Sequence, residues 1–316
     1  MIAYICGGTH GNEIPSLEAV KKWATSPAYT PKNFHVETLI VNEPAVTKHK
    51  RYLDCDIQDY FDFQSQQGAS PYGGPNRDYR KALDVGRRLG GKKDDTPAVN
   101  LIIDCHTTDS NMGITINVSR WSTCLQHTIY LVLQEHPEYK CLWTPCDRLE
   151  GSCLDTMGKD GITLECGAVE HNTPSMRWES KITEALACIL RAYDAHLTEE
   201  HSAGEENETE DEEESEVPPF IMYKDMGSVQ YPSDEYECVL KGKDWKLLHK
   251  GDVIFTGPRT LVWKGDDCYP TFVDETAYKT AEEGYVAFDL CRKIDNFSAD
   301  EEKVENEKYN DYEDDL

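Results

Sequence analysis

The chain has no apolar run near membrane length, no C-x-x-C pair and a shortage of basic residues. Its 316 residues carry 32 Lys and Arg against 59 Asp and Glu, a net charge of −27. A helix needs about 20 consecutive apolar residues to cross a bilayer, so no membrane span is expected. Residues 1–6 read as a strand rather than a signal peptide, being too short and lacking a basic start. With so few bases there is no positive face to meet phosphate, which argues against nucleic-acid partners. The twelve cysteines lie singly. Without an export signal they read as reduced thiols, and a cytoplasmic location is expected. Cys55, Cys105 and Cys166 read as small apolar packing residues.

The charge is concentrated. Residues 199–216 hold eleven acids and no Lys or Arg, and residues 295–316 hold ten acids and two lysines. These two stretches supply 19 of the 27 net negative charges. Both are poor in apolar side chains, so they read as a solvated linker and tail, with acidic interaction tails as the alternative.

What remains reads as an α/β domain over residues 1–200, an acidic linker over 201–219, a β-rich domain over 220–293 and an acidic tail over 294–316. Strand-like runs at 2–5, 35–41, 99–104, 113–118 and 161–166 alternate with helical patterns at 14–23, 78–89, 124–135 and 175–196. In the last helix Trp178, Ile182, Ala185, Leu186, Ile189 and Leu190 form one apolar stripe, which is core. Residues 49–77 look like a long irregular loop. After Pro218-Pro219 the pattern changes to short alternating pieces split by Gly and Asp, an all-β signature.

The chemistry is densest at His10-Gly11-Asn12-Glu13, just after a strand ending in Gly7-Gly8. Imidazole nitrogen and carboxylate oxygen both bind zinc, and an i, i+3 spacing at a helix start places them on one side of the turn. A catalytic zinc keeps three protein ligands, and His106 supplies the third candidate. It closes the run 99–106, at a strand end where open α/β sheets build their sites. H-x-x-E also recurs by chance, so a lone surface or core-edge His10 stands as the alternative. Asp104, two residues before His106, can orient that ring.

A metal hydrolase also needs a base and a cation for the developing oxyanion. Glu165 ends the apolar run 161–167, where a charge is hard to explain as packing. It fits the base, with a salt-bridged edge residue as the alternative. Arg51 is followed by Asp54 and Asp56, which can fix its guanidinium, although such clusters are also common surface pairs.

These segments together resemble the aspartoacylase/succinylglutamate desuccinylase family of zinc amidohydrolases. The matching pieces are residues 7–13, 51–56, 104–106 with 110–113, 161–167, 244–249, and 269–273 with 277–278. The resemblance implies a zinc-carboxypeptidase-like α/β domain with a mixed sheet flanked by helices, followed by a smaller β domain. It implies one zinc per chain on His10, Glu13 and His106, with Arg51 polarising the carbonyl and Glu165 as general base. Tyr278 falls where the family has a substrate-contacting tyrosine. The implied substrate is a small N-acyl amino acid, and a homodimer is implied as well.

Two departures bear on substrate. Gln58-Asp59 stand where the family has Asn-Arg, and Asp155 falls at a second substrate-binding arginine, with Arg148 as a substitute from a shifted loop. Like charges would repel a substrate carboxylate at Asp59 and Asp155. The expected activity is therefore amide hydrolysis, either on an N-acyl amino acid or on a neutral or basic amide. A binding protein without catalysis is the remaining alternative.

Overall fold

The computed structural model describes residues 1–69, 76–92, 97–206, 217–280 and 284–298, with the backbone alone for 200–206. The first strand, β1 (Ile2–Gly7), leads into α1 (Ile14–Thr25), and β2 (His35–Ile40) into α2 (Glu43–Lys48). A 3-10 turn at Ile57–Tyr60 and two helices follow, α3 (Phe63–Gln66) and α4 (Arg77–Arg88). Then come β3 (Leu101–Thr107), β4 (Gly113–Val118), α5 (Thr123–Glu135), β5 (Lys140–Trp143), β6 (Asp160–Gly167) and α6 (Met176–Glu206). The C-terminal part supplies β7 (Phe220–Gln230), β8 (Glu237–Cys238), β9 (Val253–Thr256), β10 (Leu261–Val262), β11 (Tyr269–Thr271) and β12 (Val286–Phe297).

Among the described residues, nine strands form one mixed sheet in the order β11-β12-β7-β5-β4-β6-β3-β1-β2, and β10-β9-β8 form a second sheet. The strands β2, β1, β3 and β6 run parallel, while β4 joins β6 antiparallel. Alternation along the central strands explains their burial on both faces. Ala3 and Ile5 of β1, with Leu101 and Ile103 of β3, pack under α1, α5 and α6. Tyr4, Cys6 and Ile102 face the other way, against Tyr79, Ala82 and Val85 of α4. Further along β3 that second face changes from Ile102 to Asp104 and His106, both buried. A hydrophobic strand thus ends in a polar site.

The sheet crosses the boundary expected at residue 220. Here β5 pairs with β7, which pairs with β12 and through it with β11. The cause is a shared core: Phe220, Met222 and Phe297 pack in the same cluster as Trp143 and α6. Only β8, β9 and β10 stand as a separate sheet. Two further boundaries move. Helix α6 continues to Glu206, into the expected linker. Residues 294–297, expected in the tail, complete β12, and Phe297 is fully buried. The rest of the linker as far as 216, and the tail from 299, lie outside the described residues. No helix among those described is long and apolar enough to cross a membrane.

Candidate active site

The site lies at the carboxyl ends of β1, β3 and β6. Gly11 follows His10 because the loop passes directly over α2. A Cβ at Gly11 would lie 2.2 Å from the Ala45 carbonyl carbon. Gly8 is needed for its φ of +67°. Together they turn the chain so that His10 points back over the sheet. Glu13 sits at the N-cap of α1 but makes no capping bond. Its carboxylate turns inward: Oε1 lies 2.7 Å from His10 Nδ1, and Oε2 lies 3.1 Å from His106 Nδ1. Oε2 also accepts from the Thr107 N–H at 2.9 Å.

The two imidazoles approach through Nδ1, at 3.1 Å. Each Nε2 is held by its own aspartate. Asp56 lies 3.0 and 3.1 Å from His10 Nε2, and Asp104 lies 2.8 Å from His106 Nε2. Asp104 is fixed in turn by the Thr9 hydroxyl at 2.7 Å. An Nε2–H donated to a carboxylate leaves the Nδ1 lone pair facing the site. Two such lone pairs and a carboxylate then converge in a place that is 2–3% exposed. That arrangement is repulsive unless a metal ion, or protons on the rings, sit among them. A tetrahedral zinc with Zn–N bonds of about 2.0–2.1 Å would hold its nitrogens roughly 3.3 Å apart, close to what is seen. The donor set fits the metal.

Arg51 is positioned by two of the same carboxylates. Its Nε donates to Asp56 at 3.2 Å and its Nη1 to Glu13 Oε1 at 3.4 Å. Burial pushes the Asp56 carboxyl up, but His10 and Arg51 beside it outweigh that and hold it below the usual range. One aspartate therefore orients a candidate ligand and the guanidinium together. Glu165 pairs across the sheet with His106. Among the described residues it has no hydrogen bond or ion pair, and burial pushes its carboxyl up to about 7.

A cavity of about 40 Å³ joins these groups. Its lining includes His10, Glu13, Arg51, Gln58, His106 and Glu165, with Tyr278 from the C-terminal part. The Gln58 amide lies 3.2 Å from His106 Nε2. Burial and the nearby Glu165 charge push the Tyr278 phenol well up, so it is a neutral hydroxyl. Asp59 and Asp155 do not line the cavity. Asp59 is half-buried beside Gln58 on the 3-10 turn Ile57–Tyr60. Asp155 is buried in another 3-10 turn, Leu154–Met157, where its Oδ2 accepts from the Ser119 hydroxyl. The repulsion expected from these two acids has no counterpart in the cavity wall. Arg148 is buried but does not line it either.

The wall holds residues that spacing did not single out. Thr107 ends β3 and Thr108 follows it, Phe272 and Glu275 precede Tyr278, and His171 follows the end of β6. His171 Nε2 lies 2.8 Å from Glu275 Oε1. Burial lowers the His171 pKa, but the bond to Glu275 and its charge outweigh this and raise it overall. The only hint of Glu275 was its place between two segments of the family resemblance. His171 carried no signal.

Residues 2–195 match the succinylglutamate desuccinylase/aspartoacylase catalytic domain, and residues 218–288 match the barrel-sandwich hybrid domain of the same proteins. The chain belongs to this family. As a desuccinylase/aspartoacylase family member it is a hydrolase of linear amide carbon–nitrogen bonds. It is 28% identical to aspartoacylase of Rattus norvegicus, covering 89% of this chain and 90% of that one. It is 27% identical to an N-acyl-aromatic-L-amino acid amidohydrolase (carboxylate-forming) of Xenopus tropicalis, covering 90% and 91%. Murine aminoacylase 3 shares the fold, with a TM-score of 0.79 at 21% identity over 93% of this chain and 95% of that one.

Proposed function

We propose that this protein is a zinc-dependent deacylase that hydrolyses the amide bond of a small N-acyl amino acid. One observation carries the reading: three atoms able to bind a metal converge beside a carboxylate that has no hydrogen-bond partner among the described residues. His10, Glu13 and His106 would hold one zinc per chain. The metal, when bound, would lower the pKa of a water and polarise the amide carbonyl.

This chain's residues do the rest. Glu165 takes the proton of the attacking water, and its pKa of about 7 suits that exchange near neutrality. The water oxygen bonds to the carbonyl carbon, the C–N bond breaks, and Glu165 passes the proton to the leaving amine. Products are a carboxylate and a free amine. Arg51, fixed by Asp56 and Glu13, donates to the carbonyl oxygen as it becomes anionic. Gln58 and Tyr278, which line the cavity, would contact substrate. Asp59 and Asp155 take no part in this reading, since neither lines the cavity.

All twelve cysteines are unpaired, which supports a reducing, cytoplasmic setting. A homodimer is proposed on the resemblance alone. The reading is tested by metal analysis together with hydrolysis of a panel of N-acyl amino acids. About one zinc per chain and turnover of at least one panel member are expected. Stoichiometric zinc with no turnover across acidic, aromatic, aliphatic and basic members would sink it.

A further inference from the structure

An N-acyl amino acid brings a carboxylate with its amide, and that charge needs a donor. Arg51 is the only Lys or Arg among the described residues lining the cavity, and it is tied to Asp56 and Glu13. Asp59 and Asp155 lie off the cavity, as does Arg148. The wall offers one other group able to carry positive charge and outside the metal-ligand set, His171.

Two features set His171 apart. Its Nε2 is bonded to Glu275, while its Nδ1 is buried and has no hydrogen-bond partner among the described residues. Glu275 itself has no capacity left for a ligand. Oε1 also accepts from the Ala277 N–H at 3.2 Å. Oε2 accepts from the Thr108 hydroxyl, from the Asp109 N–H at 3.0 Å and from the Ser110 hydroxyl at 3.4 Å. The carboxylate is thus a fixed anchor 2% exposed, unable to receive a substrate ammonium. Its effect on the pocket is exerted through the ring it holds. A carboxylate on one nitrogen holds the ring's proton more firmly and so favours the imidazolium form, which carries N–H on both nitrogens. A buried N–H without a partner is unfavourable, and an incoming oxygen relieves it.

We propose that His171, anchored by Glu275, receives the carboxylate of the substrate through Nδ1–H and so determines that the enzyme takes N-acyl amino acids rather than their uncharged amides. This rests on the deacylase reading above. The cavity of about 40 Å³ is far below the roughly 300 Å³ or more typical of a ligand pocket. Seating a substrate, and reaching Nδ1, therefore requires lining side chains to adjust.

The test is equilibrium binding to the zinc-loaded Glu165→Gln protein, in which turnover is suppressed. N-Acetyltyrosine, N-acetylleucine and N-acetyllysine are each compared with their own carboxamide, which lacks the carboxylate. In at least one pair the acid should bind about tenfold or more tightly than the amide, as befits a charge-assisted hydrogen bond. Adding His171→Ala should remove that preference by weakening the acid alone. His171→Gln, which keeps an uncharged donor, should retain part of it. No preference in any pair overturns the assignment, as does a preference that survives His171→Ala or an equal loss on acid and amide in both variants. Wild-type hydrolysis is scored separately. An enzyme inactive on every N-acyl amino acid sinks the deacylase reading, while the binding preference still judges His171.

Discussion

His10 and His106 face each other through Nδ1 at 3.1 Å, and each ring is held from behind by a different aspartate. The opposed aspartates hold the two Nε2 atoms and leave both Nδ1 atoms facing inward. This relationship makes a metal the simplest reading of the site, and it yields the first prediction.

His10→Ala or His106→Ala should each remove most bound zinc and most activity. Asp104→Asn should keep the fold but weaken zinc by about 10- to 100-fold, because it removes the acceptor that orients His106. Metal titration with a competing chelator checks both. Full zinc occupancy in the two histidine variants would refute the ligand assignment.

Glu165 should behave as a base and not as a ligand. Glu165→Gln should retain zinc while kcat falls by about 100-fold or more. Burial raises this carboxyl to about 7, so it is protonated below that pH and loses its role as base. Wild-type kcat should therefore fall as pH drops, on a limb at or below pH 7, since a bound dication would pull the limb lower. Wild-type turnover in the variant, or no acid limb down to pH 4, would assign the proton transfer elsewhere.

Arg51→Ala should spare the metal and cost roughly 2–4 kcal/mol in kcat/KM, the range for a lost oxyanion donor. Arg51→Lys should recover little, because a single ammonium cannot reproduce the fork that both Asp56 and Glu13 hold. Recovery of more than half of the lost activity by lysine would show that charge alone suffices.

Asp155 lies off the cavity, and its variant tests whether it bears on substrate. Asp155→Asn keeps an acceptor for Ser119 and should leave KM unchanged across the substrate panel. A changed preference among N-acyl amino acids would place Asp155 back beside the substrate.

Phe297 tests the continuity of the sheet. It is fully buried against Trp121, Trp143 and Phe220. Phe297→Ala should cost about 3–5 kcal/mol, measured by denaturant unfolding in a single cooperative transition. Separate transitions for residues before and after 217 would show that the two parts fold independently.

Local pattern was enough for much of this protein. Alternating and helical periodicities marked β1, α1, β3 and α6, because each buries a face that the sequence writes at a period of 2 or 3.6. The candidate metal set was legible too, since His10 and Glu13 share one turn and His106 lies at the end of a strand. Asp104 and Asp56 were readable as neighbours of the groups they orient. Tertiary structure alone decided three other matters. That β7, β11 and β12 complete the main sheet depends on Phe220 and Phe297 meeting Trp143, contacts far apart in the chain. That Asp59 and Asp155 stay out of the cavity depends on which way two short 3-10 turns face, and a one-residue change of facing is invisible to spacing. And the meeting of His171 with Glu275, 104 residues apart, arises only when the C-terminal part closes over the end of β6.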